Sequence, residues 1–149
     1  MNVFSLLMLL LYFYLPKFIK PIEKKEVSMP RCVLIFDDDL DLLNICTLIL
    51  KQKDLNIITL QHCNNLLENI AQYRPGVIIM DYRIPAMGGV KAIQLIKQSD
   101  YGAIPVILFS GNHNVEELAK EAGADFHLNK PFDINVFEKL VEQAMLSNT

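Results

Sequence analysis

Four polar sites in this sequence each follow a short apolar run. Asp37, Asp38 and Asp39 follow Cys32–Phe36, Asp81 follows residues 77–80, Ser110 follows residues 105–109, and Lys130 stands two positions past the run 126–128. Three carboxylates converging on one small region repel each other and call for a cation. Hard oxygen ligands suit Mg2+, which typically takes one or two carboxylates, keeps several waters and accepts a substrate phosphate oxygen. Lys130 offers a compact, flexible ammonium that pairs first with a carboxylate and then with a phosphoryl oxygen. Ser110 supplies a hydroxyl able to donate to the same phosphoryl. A carboxylate nucleophile, a divalent metal, a lysine and a hydroxyl together describe a phosphoryl-transfer site, where positioning and charge neutralisation do most of the catalysis. Each residue alone has a plainer reading. An Asp after a strand often caps the next helix, which is what Asp39 is expected to do. A strand-end Ser is commonly a turn residue, and a surface Lys is commonly solvated. The signal lies in four such groups at successive strand ends.

The elements that must position them are legible as an alternation. Cys32–Phe36 and residues 77–80 are apolar at every position, the mark of central parallel strands buried on both faces. Residues 39 to about 52 read as a helix with Leu40, Leu43, Thr47 and Leu50 on one face. Leu42, Ile45, Cys46 and Ile49 lie beside that face, so the helix is more apolar than one buried stripe requires. Asn56–Leu60 is a shorter, flanking strand. Asn64 or Asn65 is placed to cap a helix running to about Tyr73, and Gly88 and Gly89 precede one lined by Val90, Ile93 and Ile96. Residues 105–109 make the fourth strand. Asn114 with Glu117 resembles a capping box, and Gly123 suits the end of that helix. Residues 126–128 form a short last strand, and Asp133 caps a final helix that turns Ile134, Phe137, Leu140, Val141 and Ala144 inward. Five β-α repeats imply a parallel sheet with helices on both faces, whose ligands bind beyond the carboxyl ends of the strands.

Composition narrows the class further. The 149 residues suffice for one domain with a full core and are too few for two ordinary ones. A net charge of −3 gives no electrostatic footprint for nucleic acid. The three cysteines, Cys32, Cys46 and Cys63, are odd in number, widely spaced and without a CxxC pair, so they read as small buried hydrophobes in a reducing cytosol. In the stretch 3–15 twelve of thirteen residues are apolar, Ser5 being the exception. As a helix it is roughly 20 Å long, short of a ~30 Å hydrocarbon core, and it lacks the features of a secretory signal. Two readings of it stay open. It is a short membrane anchor over residues 3–19, with Tyr12 and Tyr14 at the interface and Lys17, Lys20, Lys24 and Lys25 holding the rest in the cytoplasm, or translation begins at Met29. Residues 1–28 are thus an apolar segment plus linker, and 29–149 the working domain.

The blocks "VLIFDDDLDLL", "VIIMDYRIPAMGG", "PVILFSG" and "GADFHLNKPF" resemble, in order and spacing, the signature of the response-regulator receiver domain of two-component signalling. The resemblance covers the chain from about Arg31 to the last helix. It implies a flavodoxin-like (βα)5 doubly wound sheet with strand order 2-1-3-4-5. By position it makes Asp81 the phosphoacceptor, Asp38 a direct ligand of Mg2+, Asp37 a ligand largely through water, and the backbone carbonyl of Arg83 a further ligand. Lys130 matches the lysine of the "KPF" block, whose bond to the next proline is cis in the family, so Lys130–Pro131 is expected to be cis. Ser110 stands where Thr is commoner and keeps the hydroxyl, Gly111 stands where a small Ala is usual, and Gly88 replaces a frequent Asp. The segment between Ser110 and Gly123 is about two residues shorter than in many members. His127 holds the position of an aromatic residue that rotates inward in the active state, which would make it a rotameric reporter; its plainer reading is a half-exposed strand histidine.

The resemblance implies a phosphorylation-switched signalling protein rather than an enzyme. Its donor is a sensor histidine kinase or histidine phosphotransfer protein, and it assists its own phosphotransfer and slow dephosphorylation. No output domain follows residue 149 in this sequence, so output is expected through a protein target or relay to another histidine. A second class is a haloacid-dehalogenase-like phosphohydrolase using Asp37, with Asp37 and Asp39 as its D-x-D. That class needs a further acidic pair downstream of the lysine, where only Asp133 and Glu138 follow closely, and has no use for Asp81.

Overall fold

The computed structural model describes residues 3–5 and 31–148. Within residues 31–148 five strands, β1 (Cys32–Phe36), β2 (Asn56–Leu60), β3 (Val77–Asp81), β4 (Val106–Ser110) and β5 (Phe126–Asn129), alternate with five helices. These are α1 (Leu40–Lys51), α2 (Leu66–Tyr73), α3 (Gly89–Lys97), α4 (Val115–Ala122) and α5 (Ile134–Ser147). All strand pairs are parallel and the order is β2-β1-β3-β4-β5, as the family resemblance implied. β1, β3 and β4 are buried at every position, whereas β2 and β5 are partly exposed edges.

Side chains of a strand alternate between faces, so one sheet builds two cores. Leu34, Phe36, Ile78, Met80 and Leu108 pack against α2, α3 and α4 through Ile70, Ile93 and Leu118. Val33, Ile35, Ile79, Ile107 and Phe109 pack against α1 and α5 through Leu43, Cys46, Phe137 and Val141. The cysteines are free and buried, and burial pushes the Cys46 thiol up to about 12, so it acts as a small hydrophobe.

Asp39 and Asp133 cap their helices as expected. Asp39 Oδ1 accepts from the Asp41 and Leu42 amides at 3.0 and 3.1 Å, and Asp133 Oδ1 from Asn135 and Val136 at 2.8 and 3.2 Å. Two other expectations fail. Asn114 occupies the cap position of α4 but makes no side-chain cap bond, and neither does Asn65 at α2. The backbone is extended at Asp39 and Asp133 (ψ 101° and 138°) but not at Asn114 (φ −97°, ψ 31°), and that extended geometry is what aims a capping oxygen at the first-turn amides. Ile134, expected inward, is 54% exposed because it opens α5 at its rim. Leu40, Ile45 and Leu48 of α1 are exposed too, which accounts for that helix's surplus of apolar residues.

A lysine braces the end of the sheet away from the acidic residues. Lys97 Nζ donates to the carbonyls of Gly102 (3.0 Å) and Ile104 (2.9 Å) and to Asp125 Oδ2 (2.6 Å), which also accepts from the Val106 amide (2.7 Å). This ties the end of α3 to the starts of β4 and β5. Lys97→Met strands a carboxylate and two carbonyls, and we expect it to lower unfolding free energy by about 1–3 kcal/mol in urea melts. An unchanged midpoint would show the brace to be idle.

Among the described residues no helix is long and apolar enough to cross a membrane. The expectations for residues 1–28 fall, apart from 3–5, outside the described residues.

Candidate functional site

Parallel strands deliver all their carboxyl ends to one edge of the sheet, and the register decides which residues meet there. Phe36 pairs with Met80, so Asp37 and Asp81 emerge side by side; Asp81 pairs with Phe109, and Ser110 with Asn129. Lys130 follows Asn129, and its backbone amide donates to the Ser110 carbonyl at 2.8 Å. Its ammonium donates to Asp37 Oδ2 and, at 2.7 Å, to Asp81 Oδ1. The remaining oxygens are held by backbone: Asp39 N donates to Asp37 Oδ1 (3.0 Å) and Arg83 N to Asp81 Oδ2 (2.7 Å). Ser110 Oγ accepts from the Asn112 amide at 3.0 Å. Asp37, Asp81 and Ser110 are buried, Asp38 is exposed, and the Lys130–Pro131 bond is cis.

Burial pushes the Asp37 carboxyl above the usual range; the Lys130 and Asp39 hydrogen bonds oppose this, and neighbouring Asp81 adds to it. Burial works to lower the Lys130 pKa, and its hydrogen bonds to Asp37 and Asp81 outweigh that, so it ends above the ordinary lysine value. One carboxylate oxygen each from Asp37, Asp38 and Asp81 lie within 4.8 Å of one another. Three carboxylates against one ammonium leave a charge of about −2, and every side-chain ligand atom is a hard oxygen. Both facts fit a small divalent cation such as Mg2+.

The structure therefore brings together Asp37, Asp38, Asp81 and Lys130, with Ser110 at the adjoining strand end. Arg83 enters through its backbone amide, and its side chain is exposed. His127 stays apart from the cluster, exposed on β5 in register with Leu108. Two contributors escape a reading of the sequence. A Cβ on Gly89 would lie 2.3 Å from the Asp81 carbonyl oxygen, so only glycine lets α3 begin so close to the acceptor. The Phe109 ring lies under the Lys130 ammonium, 6.0 Å from ring centroid to Nζ. The Gly88-Gly89 pair was a visible signal for the first; the second depends on strand register.

The response regulator receiver domain profile matches residues 33–142. The transcriptional regulatory protein PrrA of Mycobacterium leprae is 33% identical over 108 residues, covering 71% of this chain and 46% of that protein. The DNA-binding transcriptional regulator NtrC of Escherichia coli is 31% identical over 115 residues, 76% of this chain and 24% of its own length. The chain thus spans about a quarter to about half the length of these relatives. Among solved structures, the chemotaxis response regulator CheY4 of Vibrio cholerae matches in fold with a TM-score of 0.69 at 24% identity, over 76% of this chain and 97% of that one. A profile match across most of the chain, on a sheet of this order, means that the chain belongs to the response regulator receiver domain family, the phosphoacceptor signalling module of two-component systems.

Proposed function

We propose that Asp81 takes a phosphoryl group from the phosphohistidine of a sensor histidine kinase or histidine phosphotransfer protein, in a reaction that depends on Mg2+. The carrying observation is the clamped geometry of Asp81, whose two oxygens are held by Lys130 and the Arg83 amide. An Asp81 oxygen attacks phosphorus in line; a P–O bond forms as the P–N bond breaks, and the histidine nitrogen keeps the electron pair. Asp37, Asp38 and Asp81, with the Arg83 carbonyl, would hold Mg2+, which when bound offsets the negative charge of the carboxylates and the phosphoryl oxygens. Lys130 moves from Asp81 Oδ1 to a phosphoryl oxygen. Ser110 Oγ, which accepts from Asn112, has its own proton to donate to another. That inward pull shifts the face made by α4, β5 and α5, with His127 as a rotameric reporter, toward a state that binds a protein target. The same groups admit slow attack by water, so the domain resets itself. Residues 29–149 form this unit, placed in the cytoplasm.

The donor docks beside the acceptor. A groove lined by Leu42, Ile45, Ile49, Phe132 and Ile134 runs up to Lys130, which lines both it and the phosphoryl site. Its apolar lining fits an apolar helical face of the donor, brought there with its phosphohistidine. Ile45→Lys is expected to slow transfer from a phosphorylated donor about tenfold or more and to leave labelling by a small phosphodonor unchanged. Equal slowing of both would place the defect in the chemistry instead.

The decisive experiment incubates the protein with a small phosphodonor, with Mg2+ or with EDTA, and locates the label by mass spectrometry. A Mg2+-dependent, base-labile group on Asp81 is the expected result. Label on Asp37 would instead support a phosphohydrolase, and no label under any condition would overturn the phosphoacceptor reading.

A further inference from the structure

Lys130 has a third neighbour besides its two carboxylates. Its ammonium sits over the ring of Phe109, at the separation where the negative face of an aromatic ring still attracts a cation. Phe109 is fully buried and is the register partner of Asp81, so its ring is anchored to the strand that flanks the acceptor. It is held in turn by two other rings. Phe132 lies 5.1 Å away at 51° and Phe137 5.6 Å away at 67°, and these two are 5.1 Å apart. Phe132 follows Lys130 by two residues and Phe137 is on the inner face of α5. Tilted and edge-to-face packing of this kind fixes ring orientation as well as filling volume.

Resting on the phosphoacceptor reading, we infer that Phe109 is a positioning residue for phosphoryl transfer, holding the Lys130 ammonium over its ring face while that ammonium exchanges Asp81 for the phosphoryl group. Hydrogen bonds to Asp37 and Asp81 are directional, and the Asp81 contact must break when Asp81 becomes phosphorylated. A cation over a ring face feels a broad attraction that survives a short slide. Phe109 therefore keeps Lys130 over the reaction path at the moment its carboxylate partner changes. Because Phe137 belongs to α5, the same three rings connect the lysine's position to the helix at the edge of the switching face.

Replacing Phe109 in the full chain by mono-, di- and trifluorinated phenylalanine drains the ring's negative face with little change in shape. The expected result is a stepwise fall in the rate of Asp81 labelling at saturating Mg2+, roughly three- to tenfold across the series, at nearly constant melting temperature. In the resting protein the Lys130 side-chain protons are expected upfield in NMR spectra from the ring current, and at ordinary positions in Phe109→Leu. A flat rate across the fluorine series, or unshifted Lys130 protons in the unsubstituted protein, would overturn the inference. If the unsubstituted protein takes no label at all, the phosphoacceptor reading fails, and the ring-current shift alone decides the placement of Lys130.

Discussion

Asp81→Asn protein is expected to carry no phosphoryl group under conditions that label the unsubstituted chain fully. The substitution keeps shape and removes nucleophilicity, because a neutral amide oxygen does not attack phosphorus as a carboxylate does. The fold should tolerate it. Asp81 stands between two donors, Lys130 Nζ and Arg83 N, and an amide offers an oxygen to only one of them. One hydrogen bond is lost, while Lys130 remains on Asp37. Against that, the neighbouring charge that helps raise the Asp37 pKa disappears. The two effects oppose each other, and the net change in unfolding free energy is expected within about 1 kcal/mol. Intact mass with peptide mapping checks the first expectation and a thermal melt the second. Persistent label on Asp37 or Asp38 in the folded variant would mean that Asp81 is not the acceptor.

The acidic edge is legible in the sequence because strands buried on both faces announce themselves as unbroken apolar runs, and β1 is followed by Asp37 while β3 and β4 end at Asp81 and Ser110. Parallel topology then puts those ends together whatever the details of packing. Legibility stopped where side-chain direction depends on backbone geometry set elsewhere. Asn114 has the right type at the right spacing for a capping box, yet its backbone is not extended and its side chain makes no cap bond. Ile134 fits the inward stripe of α5 by spacing, but as the first helical residue it falls outside the shelter of the sheet. The excess of leucine and isoleucine on α1 was visible as excess; that Leu40, Ile45 and Leu48 are exposed needed the structure. The Gly88-Gly89 pair marks a close backbone approach without saying to what, and Phe109, which contributes through ring placement, carries no chemical mark in a linear reading. The register Asp81–Phe109 is what makes the ring relevant.

Lys130→Met is the second variant from which a large effect is expected, and it separates what the ammonium does for the resting fold from what it does for transfer. Methionine keeps a long apolar stem against Phe109 and removes the charge. Two buried carboxylates then face each other without their shared partner. Breaking a buried ion pair from one side generally costs about 3–5 kcal/mol, and the raised Asp37 pKa marks this carboxylate as the one that is already uneasy in its charged form. Thermal melts in EDTA should therefore fall well below those of the unsubstituted protein. Added Mg2+ supplies positive charge to the same oxygens, so the rise in melting temperature with Mg2+ should be larger in the variant than in the parent. Stability restored in this way does not restore the rate. The phosphoryl oxygen that Lys130 meets in the transition state has lost a preorganised donor, an omission worth roughly 10²–10³-fold in comparable sites. Labelling of Asp81 from a small phosphodonor at saturating Mg2+ is expected to slow by about that factor while the protein remains folded. A variant that folds and labels at the parental rate would show that the ammonium serves only to neutralise the empty site, and the transfer mechanism would have to be rebuilt without it.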